Sequence, residues 1–135
     1  MFTALRHFFT GPVIVLLAVA AASGCAPNPN APTSMTGTWV GTVVSSSIGQ
    51  ISYQLTLTQN GSTITGTFAT TIAGQATSST GSLTGTIQGS AFSAALSFGT
   101  CTRNWTATWS GVTLSGTYAS AGTCSDTGTF TLTLE

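Results

Sequence analysis

Few side chains in this sequence could do chemistry, and the two that stand out lie at matching positions beside cysteines. Arg103 follows Cys101 by two residues. Asp126 follows Cys124 with the same spacing. Their opposite charges could pair, and as a surface ion pair they would contribute ~0 to 1 kcal/mol. Alternatively, the Arg103 guanidinium could bind a carboxylate or phosphate group of a ligand. The sequence favours the ion pair.

A third cysteine, Cys25, follows a short apolar run at residues 13–22. Arg6 and His7 precede the run, small residues occupy positions 22–24, and prolines follow the cysteine. This arrangement resembles a bacterial lipoprotein signal, whose cysteine is diacylated and becomes the first residue of the mature chain. The run is shorter than the about 20 apolar residues that span a bilayer. We therefore predict a signal peptide over residues 1–24 and lipidation at Cys25.

Two alternatives fit the same N-terminal pattern: an ordinary secretory peptide with an incidental cysteine, and an inner-membrane anchor that is not cleaved. Ala22 departs from the Leu that lipoboxes more often carry three positions before the cysteine. Ala26 stands where enterobacterial lipoproteins of the inner membrane carry a retaining aspartate. The expected location is therefore the cell envelope, and the outer membrane rather than the inner membrane.

Export would place Cys101 and Cys124 in an oxidising compartment, so a disulfide between them is predicted. It would close a loop of about 24 residues and contribute roughly 3 kcal/mol to stability. A metal site is not expected, because the chain after Cys25 contains no His and only two carboxylate side chains, Asp126 and Glu135. No other cofactor is predicted either.

The scarcity of charge argues against two function classes. The whole chain has two Lys plus Arg, two Asp plus Glu and one His. Nucleic-acid binding needs a basic patch, which this composition cannot supply. Acid–base catalysis needs a group that titrates near the working pH, and a Ser or Thr nucleophile needs a base to activate it. We predict a non-catalytic protein that does not bind nucleic acid.

The elements that must position these residues follow from composition and periodicity. Residues 25–35 are rich in proline and should form an extended tether. From residue 36 onward, apolar residues alternate with Thr or Ser, which is the period of half-buried strands. We predict one all-β domain over residues 36–135, with eight strands at residues 36–44, 50–58, 63–70, 81–88, 90–98, 103–110, 112–119 and 128–134.

A five-residue unit with a central Gly-Thr recurs in these strands, beginning at Met35, Ile64, Leu83, Leu114 and Asp126. Its glycine shares a face with the flanking residues, which gives a coiled strand room and lets large side chains fill the interior. The repeat therefore indicates architecture rather than catalysis. Short turns such as Asn60-Gly61 favour an up-and-down eight-stranded β-barrel of the lipocalin and streptavidin type. A β-sandwich is the alternative.

In an up-and-down barrel, the longer connections fall at the end opposite to the tether, at residues 45–49, 71–80, 99–102 and 120–127. Cys101 and Cys124 lie in two of these predicted loops, which agrees with the predicted disulfide. We call this end, which faces away from the membrane if Cys25 is lipidated, the distal end.

The inward positions predicted from the alternation are almost all apolar. They are Trp39, Ile51, Tyr53, Leu55, Leu57, Ile64, Phe68, Leu83, Ile87, Phe92, Leu96, Phe98, Trp105, Trp109, Leu114, Tyr118, Phe130, Leu132 and Leu134. An eight-stranded barrel is either filled by such side chains or wide enough for one small ligand.

Six residues near the distal end are the candidate ligand contacts: Tyr53, Phe68, Phe98, Arg103, Trp105 and Tyr118. They predict binding of a small apolar or amphipathic molecule at the distal mouth. One alternative is a structural or partner-binding surface lipoprotein with a filled barrel and an unknown protein partner. Another is a membrane-embedded barrel with its apolar face outward.

Three short stretches resemble the avidin and streptavidin family, in which a Gly-Thr-Trp opens the barrel: residues 36–39, 83–87 and 108–111. The resemblance implies an eight-stranded barrel, with Trp39 and Trp109 at aromatic positions of the family. It does not extend to the biotin site. Val40 and Gly41 stand where the family has a Tyr-Asn type pair, and the terminal strand lacks the family's aspartate.

Overall fold

The computed structural model describes residues 33–75 and 78–135, which form a closed barrel of eight antiparallel strands. The strands are β1 Gly37–Ser45, β2 Gly49–Asn60, β3 Thr63–Ile72, β4 Ser78–Gln88, β5 Ala91–Phe98, β6 Cys101–Trp109, β7 Thr113–Gly122 and β8 Thr127–Leu134. The predicted all-β barrel is confirmed, and the sandwich alternative is wrong. The predicted signal peptide, Cys25 and most of the tether lie outside the described residues.

Each strand pairs with its neighbour in the sequence, and β1 also pairs with β8. The closed sheet therefore has no edge strand with unpaired backbone groups. Buried and exposed residues alternate along β2 from Ile51 to Thr58. The outward positions carry mainly Thr and Ser, and the β-branched Thr suits a pleated surface. The described residues include no helix that is long and apolar enough to cross a membrane.

The barrel interior is a filled hydrophobic core. All the predicted inward residues belong to it or pack against it, and of these Phe98, Trp109 and Leu134 are only partly buried. The inward set predicted from the sequence did not include four further residues that are also buried: Met35, Val43, Ala94 and Ala107.

Met35 closes the end of the barrel at which β1 begins. It is the last residue of the predicted tether, yet its side chain is fully buried. The indole Nε1 of Trp39 donates to the Met35 carbonyl oxygen at 2.9 Å. The Met35 amide donates to Oε1 of Gln59 at 2.8 Å. These contacts fix the start of β1 beneath the core.

The recurring strand glycines lie where neighbouring strands approach too closely for a side chain. A Cβ added to Gly128 would overlap the carbonyl oxygen of Val44 and lie 2.6 Å from Cε1 of Tyr118. At Gly116, a Cβ would lie 2.6 Å from the Cα of Ala107. The repeat therefore has the architectural role that the sequence predicts.

The distal end has shorter connections than the sequence predicts. β6 begins at Cys101, so this cysteine lies in a strand and not in the predicted loop 99–102. β7 continues to Gly122, and only residues 123–126 remain as the loop before β8. Likewise, β4 begins at Ser78 and not at residue 81. Ladder hydrogen bonds extend these strands through Ser, Thr, Ala and Gly, which carry no apolar alternation.

The disulfide between Cys101 and Cys124 is confirmed, with the two Cα atoms 5.7 Å apart. This distance lies within the usual range for a disulfide. The bond joins the first residue of β6 to the loop that precedes β8. Because Asp126 belongs to that loop, the disulfide helps to hold its carboxylate over the distal end.

Gly128 gives a direct test of the close approach between strands. We expect Gly128→Ala to lower the free energy of unfolding by about 1 to 3 kcal/mol, because the new methyl group meets backbone and the Tyr118 ring. The exposed neighbour Thr129 provides the control, since Thr129→Val should change stability by no more than about 0.5 kcal/mol. Urea denaturation of the oxidised protein measures both. Wild-type stability of Gly128→Ala would contradict the close approach.

Candidate functional site

Strands β6 and β7 and the loop before β8 bring the two charged residues together at the distal end. Arg103 on β6 lies opposite Ser120 on β7 in the strand register. The Ser120 amide in turn donates to the Asp126 carbonyl oxygen at 2.7 Å. Arg103 and Asp126 thus flank Ser120 in one row across the sheet. Their side chains form an ion pair, with Nη2 of Arg103 3.1 Å from Oδ2 of Asp126.

The Asp126 carboxylate accepts hydrogen bonds from five side chains. Oδ1 accepts from the three consecutive hydroxyls at the end of β1 and in the turn after it, at 2.8, 3.1 and 3.1 Å from Ser45, Ser46 and Ser47. Oδ2 accepts from Arg103 and from the Tyr118 hydroxyl, the latter at 2.6 Å. Both carboxylate oxygens are therefore fully engaged by the protein.

The Arg103 guanidinium is held between aromatic rings. Its central carbon lies 4.7 Å from the centre of the Phe98 ring and 4.9 Å from that of Tyr118. Nη1 donates to the Tyr53 hydroxyl at 2.5 Å. The side chains of Arg103 and Asp126 are only 13% and 7% exposed. The pair is thus largely buried, whereas the sequence predicted a surface ion pair, and its hydrogen bonds must offset the cost of desolvation.

Burial and hydrogen bonding fix the protonation states of this cluster. Burial alone would raise the pKa of Asp126, but hydrogen bonds from Tyr118 and the three serines outweigh it and lower the pKa to about 2. Burial raises the pKa of Tyr53 to about 12 and outweighs the opposing effect of Arg103. Burial and the hydrogen bond to Asp126 also raise the pKa of Tyr118. At neutral pH the carboxylate is ionised and both tyrosines are protonated.

An open cavity of about 310 Å³ lies over this cluster, and we call it the mouth cavity. Ile48, Phe98 and the disulfide give it an apolar side. Its polar side consists of Ser47, Arg103, Ser120, Ser125 and Asp126. The volume lies at the small end of the range for ligand pockets.

Two larger depressions, of about 550 and 430 Å³, lie on the outer face of the barrel. They are lined mainly by Thr, Ser and Gln54 on β1 to β4, and none of their lining residues is charged. The mouth cavity is smaller but is the one that joins apolar surface to charged, hydrogen-bonded groups. It is therefore the candidate site.

The structure brings the six predicted ligand contacts into one cluster, but at different depths. Phe98 and Arg103 line the mouth cavity. Tyr53 and Tyr118 are buried beneath it and bind the ion pair through their hydroxyls. The two others, Phe68 and Trp105, are also buried, and their ring centres lie 6.0 and 5.6 Å from that of Tyr53.

Two kinds of site residue were missed from the sequence. Ile48 and the serines of the β1–β2 turn lie in a predicted loop, where no periodicity indicates which side chains face the site. Ser120 shares inward parity with Tyr118, so an extension of the alternation could have found it. Within the described residues, the buried hydroxyl of Ser120 and the buried indole N–H of Trp105 have no hydrogen-bond partner.

Comparison with protein-family models found no match for this chain. A search of curated proteins found no similar sequence either. The interpretation of the site therefore depends on its own geometry.

The cluster predicts how stability depends on pH. The folded pKa of Asp126 is about 2, below the ordinary 3.8, so the unfolded chain binds more protons between these values. Stability should therefore fall by about 2 kcal/mol as the pH falls from about 4 to 2. Tyr53 is raised from 10.0 to about 12, so stability should also fall as the pH rises through that range.

Chemical denaturation of the oxidised protein across this pH range measures both losses. Asp126→Asn should lower stability at neutral pH, because it leaves the largely buried Arg103 without its counter-charge, and should abolish most of the acid loss. Persistence of the full acid loss in this variant would show that another group causes it.

Proposed function

We propose that this chain is a lipid-anchored protein of the cell envelope that binds a small amphipathic molecule at its mouth cavity, without catalysing a reaction. The observation that carries the proposal is the composition of this cavity. Ile48 and Phe98 offer apolar surface beside the polar groups of Arg103 and Ser120. A concave apolar surface with a few fixed polar groups is the usual form of a small-molecule site.

Two features support the proposed location. Cys25 occupies the lipidation position of a lipoprotein-like signal, and Ala26 after it favours the outer membrane. The Cys101–Cys124 disulfide suits an oxidising compartment. The chain enters the barrel at the end opposite to the mouth cavity, because β1 begins there at Gly37. A lipid on Cys25 would then leave the cavity facing away from the membrane.

The chemistry of the site supports a binding role rather than catalysis. Asp126 is the only carboxylate of the cluster, and its pKa of about 2 makes it a weak base at neutral pH. Its oxygens are already engaged by five donors from the protein. None of the described residues that line the cavity supplies another general base.

The filled interior supports a second candidate, a structural or partner-binding lipoprotein. Trp39, Phe92 and Leu96 are fully buried, so a ligand has no room among the core side chains and must bind at the mouth. The distal loops would then be the surface for a protein partner. A membrane-embedded barrel is less well supported, because it needs an apolar outer face and the outward positions here carry mainly Thr and Ser.

The resemblance to the avidin family supports the barrel fold, and this proposal takes no ligand or site residue from it. Trp39 is fully buried and binds the Met35 carbonyl oxygen. Trp109 donates its indole N–H to the Gly111 carbonyl oxygen at 2.8 Å, at the end opposite to the mouth cavity. Both tryptophans therefore have structural contacts within the chain.

The lipid anchor can be tested by the mass of the chain extracted from membranes. We expect the wild-type protein to lack residues 1–24 and to carry a diacylglyceryl group on Cys25. Cys25→Ser should carry no lipid, because only the thiol forms the thioether. Cleavage at another position would indicate an ordinary secretory peptide, and an unprocessed wild-type chain would indicate an uncleaved anchor.

Ligand binding can be tested with two half-exposed residues at opposite ends of the barrel. Ile48 lines the mouth cavity, and Val112 lies in the β6–β7 turn at the other end; each is 50% exposed. Native mass spectrometry of the lipidated chain should find a co-purifying small molecule. NMR titration with benzyl alcohol, a neutral amphipathic probe, should place its contacts at Ile48 and Phe98.

Ile48→Ser should weaken binding of the probe about three- to tenfold, because it removes part of the apolar wall. Val112→Ser, the matched control, should leave the affinity unchanged. Absence of both a co-purifying molecule and a site-specific shift would contradict the binding role and favour the partner-binding candidate.

A further inference from the structure

The charges at the mouth cavity cancel each other. Among the described residues, Arg103 and Asp126 are the only charged ones that line it, and their side chains are 3.1 Å apart. A carboxylate or phosphate that bound Arg103 would therefore have to approach the ionised Asp126 as well. The like-charge repulsion would be strong, because both side chains are largely buried and poorly screened.

The Asp126 carboxylate also has no free position at which a cationic ligand could bind. Its two oxygens accept five hydrogen bonds from the chain, including three from consecutive serines. An ammonium group could bind only by displacing one of these donors. The carboxylate therefore acts as an internal counter-charge that positions Arg103, and the groups left to meet a ligand lie elsewhere.

Arg103 keeps hydrogen-bonding capacity that the protein does not use. A guanidinium has five N–H donors, and within the described residues two of its donors are engaged, by Tyr53 and Asp126. The rings of Phe98 and Tyr118 hold its plane, so its orientation is fixed. Arg103 therefore presents preorganised donors at the cavity wall without presenting net charge.

Ser120 supplies a second unused polar group. It lies opposite Arg103 in the β6–β7 register and lines the same cavity. Its hydroxyl is buried and has no partner within the described residues. An unsatisfied buried hydroxyl is costly unless something binds it, so this group points to a ligand atom that can hydrogen-bond beside Arg103.

We infer that the mouth cavity, if it binds a ligand as proposed above, selects an uncharged carboxamide over the corresponding carboxylate. The amide carbonyl oxygen accepts from the Arg103 guanidinium. The amide N–H donates to the Ser120 hydroxyl, and the apolar part of the ligand packs against Phe98 and Ile48. This inference differs from the carboxylate or phosphate ligand that the sequence offered as an alternative role for Arg103.

The test compares two probes with the same carbon skeleton, phenylacetamide and phenylacetate, at pH 7. The cavity volume of about 310 Å³ is roughly ten times the volume of a water molecule in the liquid, which suits such small probes. NMR titration follows the side-chain N–H of Arg103. The only other arginine in the sequence is Arg6, which lies in the predicted signal peptide. We expect phenylacetamide to bind at least about tenfold more tightly.

Ser120→Ala separates recognition from folding. Because the hydroxyl has no partner among the residues that the structure describes, its removal should leave the free energy of unfolding unchanged or raise it. It should weaken phenylacetamide binding about three- to tenfold by removing one hydrogen bond. Ser115→Ala on the outward face of β7 is the matched control and should change neither quantity.

The outcomes distinguish this inference from the proposed function. Equal or tighter binding of phenylacetate, or no effect of Ser120→Ala on phenylacetamide binding, would overturn the carboxamide preference and leave a ligand site at the mouth. If neither probe shifts the Arg103 signal and no molecule co-purifies with the chain, the binding role itself is wrong.

Discussion

Closure of the sheet between its first and last strands is the constraint on which the rest of this structure depends. β1 and β8 pair from Trp39 with Leu134 at one end to Ser45 with Gly128 at the other. Side chains also join the distal ends of these two strands, because Asp126 accepts hydrogen bonds from Ser45 at the end of β1 and from the two serines after it. Through Arg103 and Tyr118, the same carboxylate reaches β6 and β7. One acidic residue thus links four of the eight strands.

A closed barrel of this size leaves little choice about where a ligand could bind. The inward residues fill the interior, and the strand glycines let the backbone of each strand come close to the neighbouring strand. The aromatic rings of Tyr53 and Trp105 continue the core up to the layer of Arg103 and Asp126. Polar groups therefore lie over the distal end of the core, and the concave surface at this end is the mouth cavity above them.

The sequence predicted the fold well because alternation encodes which face of a strand a residue occupies. It identified the eight strands, the inward residues and the disulfide. The sequence could not predict how far each inward side chain lies below the mouth cavity. Tyr53, Phe68 and Trp105 share the inward face with Phe98, but of these four only Phe98 lines the cavity. The strand ends near Cys101 and Gly122 were also missed, since backbone pairing through small and polar residues leaves no periodic signal.

The scarcity of charge gives the ion pair a different role from the one it has in most proteins. In a surface crowded with charges, one more pair is screened and contributes little. Here Arg103 and Asp126 are largely buried, and each is bound on several sides by hydroxyl groups or aromatic rings. Neutralised by its partner, Arg103 acts as a rigid set of hydrogen-bond donors rather than as a positive charge. If the mouth cavity binds a ligand as proposed, recognition depends on the shape and hydrogen-bonding pattern of that ligand, because the cavity lining carries no net charge to attract it.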